Sequence, residues 1–330
     1  MRRVELTIAC WDYDRTRALR EGTVAVEGCD VTMLSLAPEE AFFRAFRHAE
    51  FDASELSFSS YTMATSRGTC PYVAIPVFAS RVFRHSGIYI RTDRGIKAPA
   101  DLKGRKVGIP EYQVTAAVWI RGMLEDEYGV KPSDLDWHSG GMEESGRHEK
   151  LKVDLPRDVR MTAIAPGKTL SAMLEAGEID AIIGPRVPSC YDRGAPHVAR
   201  LFPDFRNVEK AYFKKTGIFP IMHVIGIRRR LVEAHPWLGS SLYKAFEEAK
   251  ARCLPELTQM AALKITLPWI AQEAEDTRAL MGDDYWPYGI EANRKTLDAF
   301  LRYHHSQGLS PRPMKLDELF LPSTMERAKV

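Results

Sequence analysis

Pro99-Ala100-Asp101-Leu102-Lys103-Gly104-Arg105-Lys106-Val107-Gly108-Ile109 is the stretch on which the fold turns. A proline-opened turn and a glycine lead here into a β-rich run that stops at Pro110. Residues 115–128 then predict a long amphipathic helix. Residues 161–165, 170–175 and 179–183 continue as strand, helix and strand. Upstream, residues 4–9 and 31–34 read as strands flanking a short helix at 15–20. A helix at 38–47 opens on Pro38 with Glu39 and Glu40 at the positive end of its dipole. Residues 51–56 end a strand, and 57–67 follow as a helix with Ser57 placed as its N-cap. Further strands fall at 72–78, 86–91 and 221–227, and the C-terminal third is helical. Strands alternating with helices predict a parallel α/β sheet. Residues 138–160, rich in Gly, Glu, Arg and His, read as an irregular insertion.

The chain has 330 residues, 45% hydrophobic and 27% charged, which is ordinary globular composition. At about 100–200 residues per domain the length predicts two domains. Lysine and arginine number 46 against 44 acids, and Arg228-Arg229-Arg230 is the one run of three, so no basic face marks a nucleic-acid partner. No stretch reaches the roughly 18 apolar residues of a membrane span. Arg2 and Arg3 precede a short apolar run, but Glu5 and the absence of a small-residue cleavage site argue against an export signal. The five cysteines (10, 29, 70, 190 and 253) are odd in number and form no CxxC, which predicts free thiols in the cytoplasm.

The 99–109 stretch, together with residues 170–184, resembles the type II periplasmic-binding-protein fold. That resemblance implies two helix-flanked sheet domains with a cleft between them. Crossovers would fall near 92–95 and 216–222, giving one domain from 1–93 plus 221–330 and an inserted domain at 94–220. A narrower resemblance runs over essentially the whole chain. Glu111-Tyr112-Gln113-Val114-Thr115-Ala116-Ala117-Val118-Trp119-Ile120-Arg121-Gly122, Thr216-Gly217-Ile218-Phe219-Pro220-Ile221-Met222-His223 and Trp286-Pro287-Tyr288-Gly289 are similar to the 4,5-dihydroxyphthalate decarboxylases. It implies a decarboxylase working without metal or organic cofactor on a small aromatic dicarboxylate, as a homo-oligomer.

Such chemistry sets its own requirements. Each carboxylate of 4,5-dihydroxyphthalate is para to a hydroxyl, and direct loss of CO₂ would leave an unstable aryl anion. Protonating the ring carbon while the para hydroxyl becomes a quinoid carbonyl avoids this. The site then needs an acid near the carbon, a base near the phenol and a cation for the carboxylate that stays. His223, in the return crossover, is the first acid/base candidate, because histidine changes charge near neutrality; a core histidine fixed in a strand is the plain alternative. Arg81 and Arg84 offer planar forks for carboxylates, and His85 beside them is a second proton-transfer candidate. A solvated basic loop would read the same. Tyr112, Gln113 and Thr115 stand where a strand meets a helix, a place where free N–H groups bind anions; routine capping is the alternative. Ser57 and Ser59 make the same offer from the first domain, and Arg15, following the first strand with Trp11 and Tyr13, is a further binding candidate. His304 and His305 read as surface residues. A cytoplasmic solute-binding or sensing protein for an aromatic carboxylate is the alternative function. A pyrimidine-precursor synthase on this scaffold would call for a cysteine-rich iron site that five dispersed cysteines do not supply.

Overall fold

In a computed structural model, which describes residues 3–325, the chain forms two compact units. The first comprises Met1–Arg81, Ile221–Leu297 and Lys315–Val330, and the second Val82–Pro220 and Asp298–Met314.

The strands of the first unit are β1 (Val4–Cys10), β2 (Cys29–Ser35), β3 (Ala53–Ser57), β4 (Tyr72–Arg81) and β11 (Ile221–Arg228), in the order β2-β1-β3-β11-β4. β1 runs parallel to β2 and β3, but β11 is antiparallel to both β3 and β4. The sheet is therefore mixed, not parallel as the alternation predicts. Its helices are α1 (Arg17–Arg20), α2 (Pro38–His48), α3 (Phe58–Ser66), α8 (Arg229–Ala234), α9 (Leu238–Cys253), α10 (Ile270–Met281) and α12 (Leu316–Leu319). α3 buries every residue from Phe58 to Ala64, so it is a core helix.

In the second unit β5 (Ile88–Arg91), β6 (Lys106–Ile109), β7 (Asp136–Ser139), β8 (Arg160–Ala163), β9 (Ala181–Ile183) and β10 (Val198–Arg200) take the order β10-β5-β9-β6-β7-β8. The quoted stretch supplies β6, parallel to both β7 and β9 near the middle of this sheet. β5 pairs antiparallel with β9 and β10, so the chain has entered the second sheet before residue 92. The helices are α4 (Thr115–Tyr128), α5 (Leu170–Ala176), α6 (Ser189–Asp192) and α7 (Phe205–Thr216), and α11 (Arg294–Ser306) begins before residue 298. α4 is buried continuously from Thr115 to Leu124 instead of along one stripe. Segment 298–314 packs on it: Phe300 and Tyr303 lie 5.6 and 5.7 Å from Trp119 by ring centroid. A Cβ on Gly122 would come within 2.3 Å of the Tyr303 ring, so glycine is what allows this approach. His304, in the same segment, is fully buried rather than at the surface.

Candidate functional site

In the first unit the parallel strands β1 and β3 end side by side, and carboxyl ends of α/β strands are where ligands are commonly bound. Glu55 lies there on β3. It is fully buried, an uncommon place for a carboxylate, and it is held by donors from two segments, the end of β1 with the loop after it and β11. His223 Nδ1 lies 2.6 Å from Glu55 Oε1, Tyr13 Oη donates to the same oxygen at 2.6 Å, and Trp11 N–H donates to Oε2 at 2.9 Å. The Cys10 thiol lies 3.7 Å from Oε2.

The strand register explains the meeting. His223 pairs with Ser57 on β3 and Ser80 on β4, and Ile225 pairs with Glu55. With a side-chain period of two, His223, Ile225, Glu55 and Ser57 share a face, and the histidine and glutamate are diagonal neighbours. The β11–β4 register shifts on both sides of His223, an irregularity of the kind that re-aims a side chain. Phe42 stands edge-on to the imidazole at 4.8 Å and limits its rotation.

Burial pushes the Glu55 carboxyl up, but the bond and charge of His223, then Tyr13 and the Trp11 N–H, outweigh it and hold the group below the usual carboxylate range. Glu55 is thus ionised at neutral pH and only accepts hydrogen bonds, so Nδ1 of His223 carries the proton between them. Nε2 is left as the exchangeable position, on a side chain 18% exposed. Burial and then the Glu55 charge keep the Tyr13 phenol protonated far above neutrality. Tyr13 therefore positions the carboxylate and does not serve as a base.

The other residues named from sequence separate. Arg15 is stacked between the rings of Tyr13 and Trp286 at 4.0 and 4.2 Å, and its Nε donates to Ala79 O at 2.9 Å. Its fork braces Tyr13 instead of standing open to a ligand. Arg81 is only 4% exposed and its Nη1 donates to Pro287 O at 3.1 Å. Burial brings its guanidinium down to about 9, against the opposing charge of Asp284. Ser57 and Ser59 are buried at the start of α3, and the Ser57 side chain makes no capping bond.

Arg84 and His85 belong to the second unit, so the basic cluster expected around 81–85 is divided. Burial lowers Arg84 to about 10, opposed by Glu209. His85 is 1% exposed, enclosed by the rings of Phe202 and Tyr212 at 5.3 and 5.2 Å, and burial lowers it to about 4. His85 Nδ1 also lies 3.9 Å from Glu209 Oε1, so its aromatic enclosure and that carboxylate surround the second proton-transfer candidate.

Tyr112, Gln113 and Thr115 do precede and open α4, all three buried. The N–H groups of Tyr112 and Gln113 are not vacant, however, since both donate to the carboxylate of Glu149. Sequence reasoning missed Glu55 and Glu149. The one available signal for Glu55 was an acidic residue inside the apolar alternation of a strand. Among the described residues no three His, Cys, Asp or Glu side chains gather where they would hold a metal ion.

Residues 57–155 match the family described as NMT1/THI5 like. The chain is 48% identical over 330 residues to the 4,5-dihydroxyphthalate decarboxylase of Comamonas testosteroni, covering 100% of both chains. It is 50% identical over 214 residues to the 4,5-dihydroxyphthalate decarboxylase of Pseudomonas putida, covering 65% of this chain and 83% of that one. In fold it is similar to the periplasmic aliphatic sulphonate binding protein SsuA of Escherichia coli, with a TM-score of 0.53 at 14% identity over 98% of this chain and 99% of that one. A putative sulfonate-binding SsuA of Methylobacillus flagellatus KT gives a TM-score of 0.56 at 13% identity, over 98% and 93%.

Proposed function

The chain belongs to the 4,5-dihydroxyphthalate decarboxylase family and is a carboxy-lyase, and from that premise we propose that His223 delivers the proton that replaces the departing carboxylate. The observation that carries this is the Glu55–His223 pair, with the buried carboxylate on Nδ1 and Nε2 left for the substrate.

The protonated imidazole gives its Nε2 proton to the ring carbon bearing the carboxylate, while the para hydroxyl passes its proton to solvent water, from which the oxygen takes one back at the end, and becomes a quinoid carbonyl. The bond from carbon to CO₂ then breaks, its electron pair restores the aromatic ring, and the carbonyl oxygen returns to phenolate. Protonation of that oxygen completes 3,4-dihydroxybenzoate. Overall one proton replaces one CO₂. Glu55 keeps the ring oriented throughout by holding its Nδ1, the role a buried carboxylate plays behind a catalytic histidine. Phe42 covers one side of the imidazole and restricts water there. No step calls for a metal or an organic cofactor.

No helix among the described residues is long and apolar enough to cross a membrane. The reading places the enzyme in the cytoplasm, where its five buried cysteines stay free thiols, and as a homo-oligomer acting on a small aromatic dicarboxylate in phthalate degradation.

The test mixes purified, chelator-treated protein with 4,5-dihydroxyphthalate and follows CO₂ and the ultraviolet spectrum. Conversion to 3,4-dihydroxybenzoate is expected, while binding without turnover would favour a solute-binding protein. His223→Ala should lower kcat by about 10²–10⁴-fold with substrate binding retained. Near-normal turnover in that variant would remove His223 from the mechanism.

A further inference from the structure

From residue 140 to 159 the chain joins the parallel neighbours β7 and β8 without helix or strand. Parallel strands are usually joined through a helix, and connectors beyond about 12–15 residues lacking secondary structure are commonly lids or binding loops. The start of this one is fixed. Leu170 and Ser171 N–H donate to Gly141 O and Met142 O at 2.9 and 3.0 Å, and the Glu143 carboxylate accepts from Ser189 N–H at 2.8 Å. Exposed residues follow as far as Gly146, which sits at φ +84°.

The next five residues lie on the turn that enters α4. Glu149 accepts the N–H of Tyr112 and, at 3.4 Å, that of Gln113. Gln113 Nε2 donates to Leu151 O at 3.3 Å. Arg147 Nε and Lys150 Nζ donate to the buried Glu111 at 2.8 and 3.0 Å.

A second feature shows that this spot suits an anion from elsewhere. Arg121, on α4, is 1% exposed, its Nε donates to Gln307 Oε1 at 2.8 Å, and the charge of Glu149 acts on it. Its guanidinium reaches back to the same turn: Cζ lies 3.7 Å from the Tyr112 ring centroid and Nη2 donates to Tyr112 O at 2.7 Å. Nη1 is buried without a hydrogen-bond partner. Two N–H groups with a buried cation behind them, whose Nη1 has no hydrogen-bond partner, form an anion site, and Glu149 fills it at a cost. Burial holds the Glu149 carboxyl above the usual range, and the neighbouring Glu111 charge adds to that, against the Tyr112 N–H.

We propose that residues 147–151 form a self-ligand strap, in which Glu149 occupies an anion site that an aromatic carboxylate takes over by displacing it, the strap swinging about Gly146. The inference rests on the reading of the substrate as an aromatic dicarboxylate. A closed population of about 90–99% would weaken apparent binding by about 10–100-fold, because ligand sees only the open fraction.

Phthalate, which carries both carboxylates and no hydroxyls to react, is the probe. Calorimetric titration of Glu149→Gln should give a Kd at least about tenfold tighter than wild type. Hydrogen exchange of the wild-type protein saturated with phthalate should show the Lys150 amide, which donates to Glu111 at 3.1 Å, losing protection while the Tyr112 and Gln113 amides keep theirs. An unchanged or weaker Kd in Glu149→Gln, or a strap that stays protected, overturns the proposal. The exchange measurement needs no variant, so it decides the matter even if Glu149→Gln fails to fold. Turnover of 4,5-dihydroxyphthalate is followed in parallel. Strap release without CO₂ supports the strap and counts against the decarboxylase reading, whereas CO₂ with the strap still protected counts against the strap alone.

Discussion

Replacing Glu55 by glutamine keeps the size of the side chain and removes its charge. In the wild type the carboxylate receives His223 Nδ1 and Tyr13 Oη at 2.6 Å each and Trp11 N–H at 2.9 Å. A glutamine offers one acceptor oxygen and an NH₂ that can only donate, so at least one of the three donors loses its partner. Unit charges about 4 Å apart interact by about 4 kcal/mol at an effective dielectric constant of 20, and a hydrogen bond to a charged group is worth about 1.5–3 kcal/mol net. Those two figures describe one interaction by two routes, and they bracket the loss at about 2–4 kcal/mol. If the imidazolium is the proton donor, this loss appears in the barrier at 1.36 kcal/mol per tenfold, so kcat should fall by roughly 30- to 1,000-fold. Since Glu55 is fully buried and reaches substrate only through His223, KM should stay within about threefold. Steady-state CO₂ release with 4,5-dihydroxyphthalate reads both constants, and a thermal melt confirms folding. A folded Glu55→Gln enzyme with kcat within about fivefold of wild type would refute the dyad. A raised KM with unchanged kcat would instead assign Glu55 to binding.

Tyr13→Phe removes one charge-assisted donor to Glu55 and leaves its charge, so a loss of at most about 1.5–3 kcal/mol limits the drop in kcat to about 10- to 150-fold; a deeper drop would give Tyr13 a direct role. His85 binds protons near 6.5 when unfolded but only near about 4 when folded, because burial opposes its charge. The folded state is therefore not penalised above pH 6.5, and it loses up to about 3 kcal/mol as pH falls from 6.5 through 4. In His85→Leu that acid-side loss should shrink, and denaturant melts at pH 7 and pH 4.5 showing the same loss as wild type would contradict this. Arg81→Ala should lower the melting temperature by roughly 2–10 °C through lost packing and the bond to Pro287 O. An unchanged melt with a raised KM would restore Arg81 as a carboxylate ligand.

What could be read along the chain was whatever rests on neighbours in sequence. The β-rich run of residues 4–9 and the glycine and proline around 104–110 returned β1 and β6, and α4 was returned with its bounds though not its expected single buried stripe. These signals are local, because a strand or helix shows its solvent and core faces within a few residues. β11 reads as a strand equally well, yet its antiparallel place between β3 and β4 has no local mark, which is why the expected parallel sheet is mixed.

His223 was recognisable as a residue type suited to proton transfer, and the family resemblance directed attention to its segment. Its partner was not recognisable, since Glu55 lies 168 positions away and they meet only through the register of β3 against β11. The same limit explains the basic residues near position 81. Arg81, Arg84 and His85 are adjacent in sequence, but the chain passes from one unit to the other between 81 and 82, and burial, not proximity, sets their charge. Residues 138–160 showed only that they were irregular, while tertiary structure laid Glu149 on the N–H groups ahead of α4. The sequence by itself therefore determined many of the elements, the family and the chemistry required, while β7, β10, α6 and α7 were not read from it. Tertiary structure alone decided which carboxylate stands behind the histidine, because desolvation and pairing depend on three-dimensional neighbours that sequence spacing does not encode.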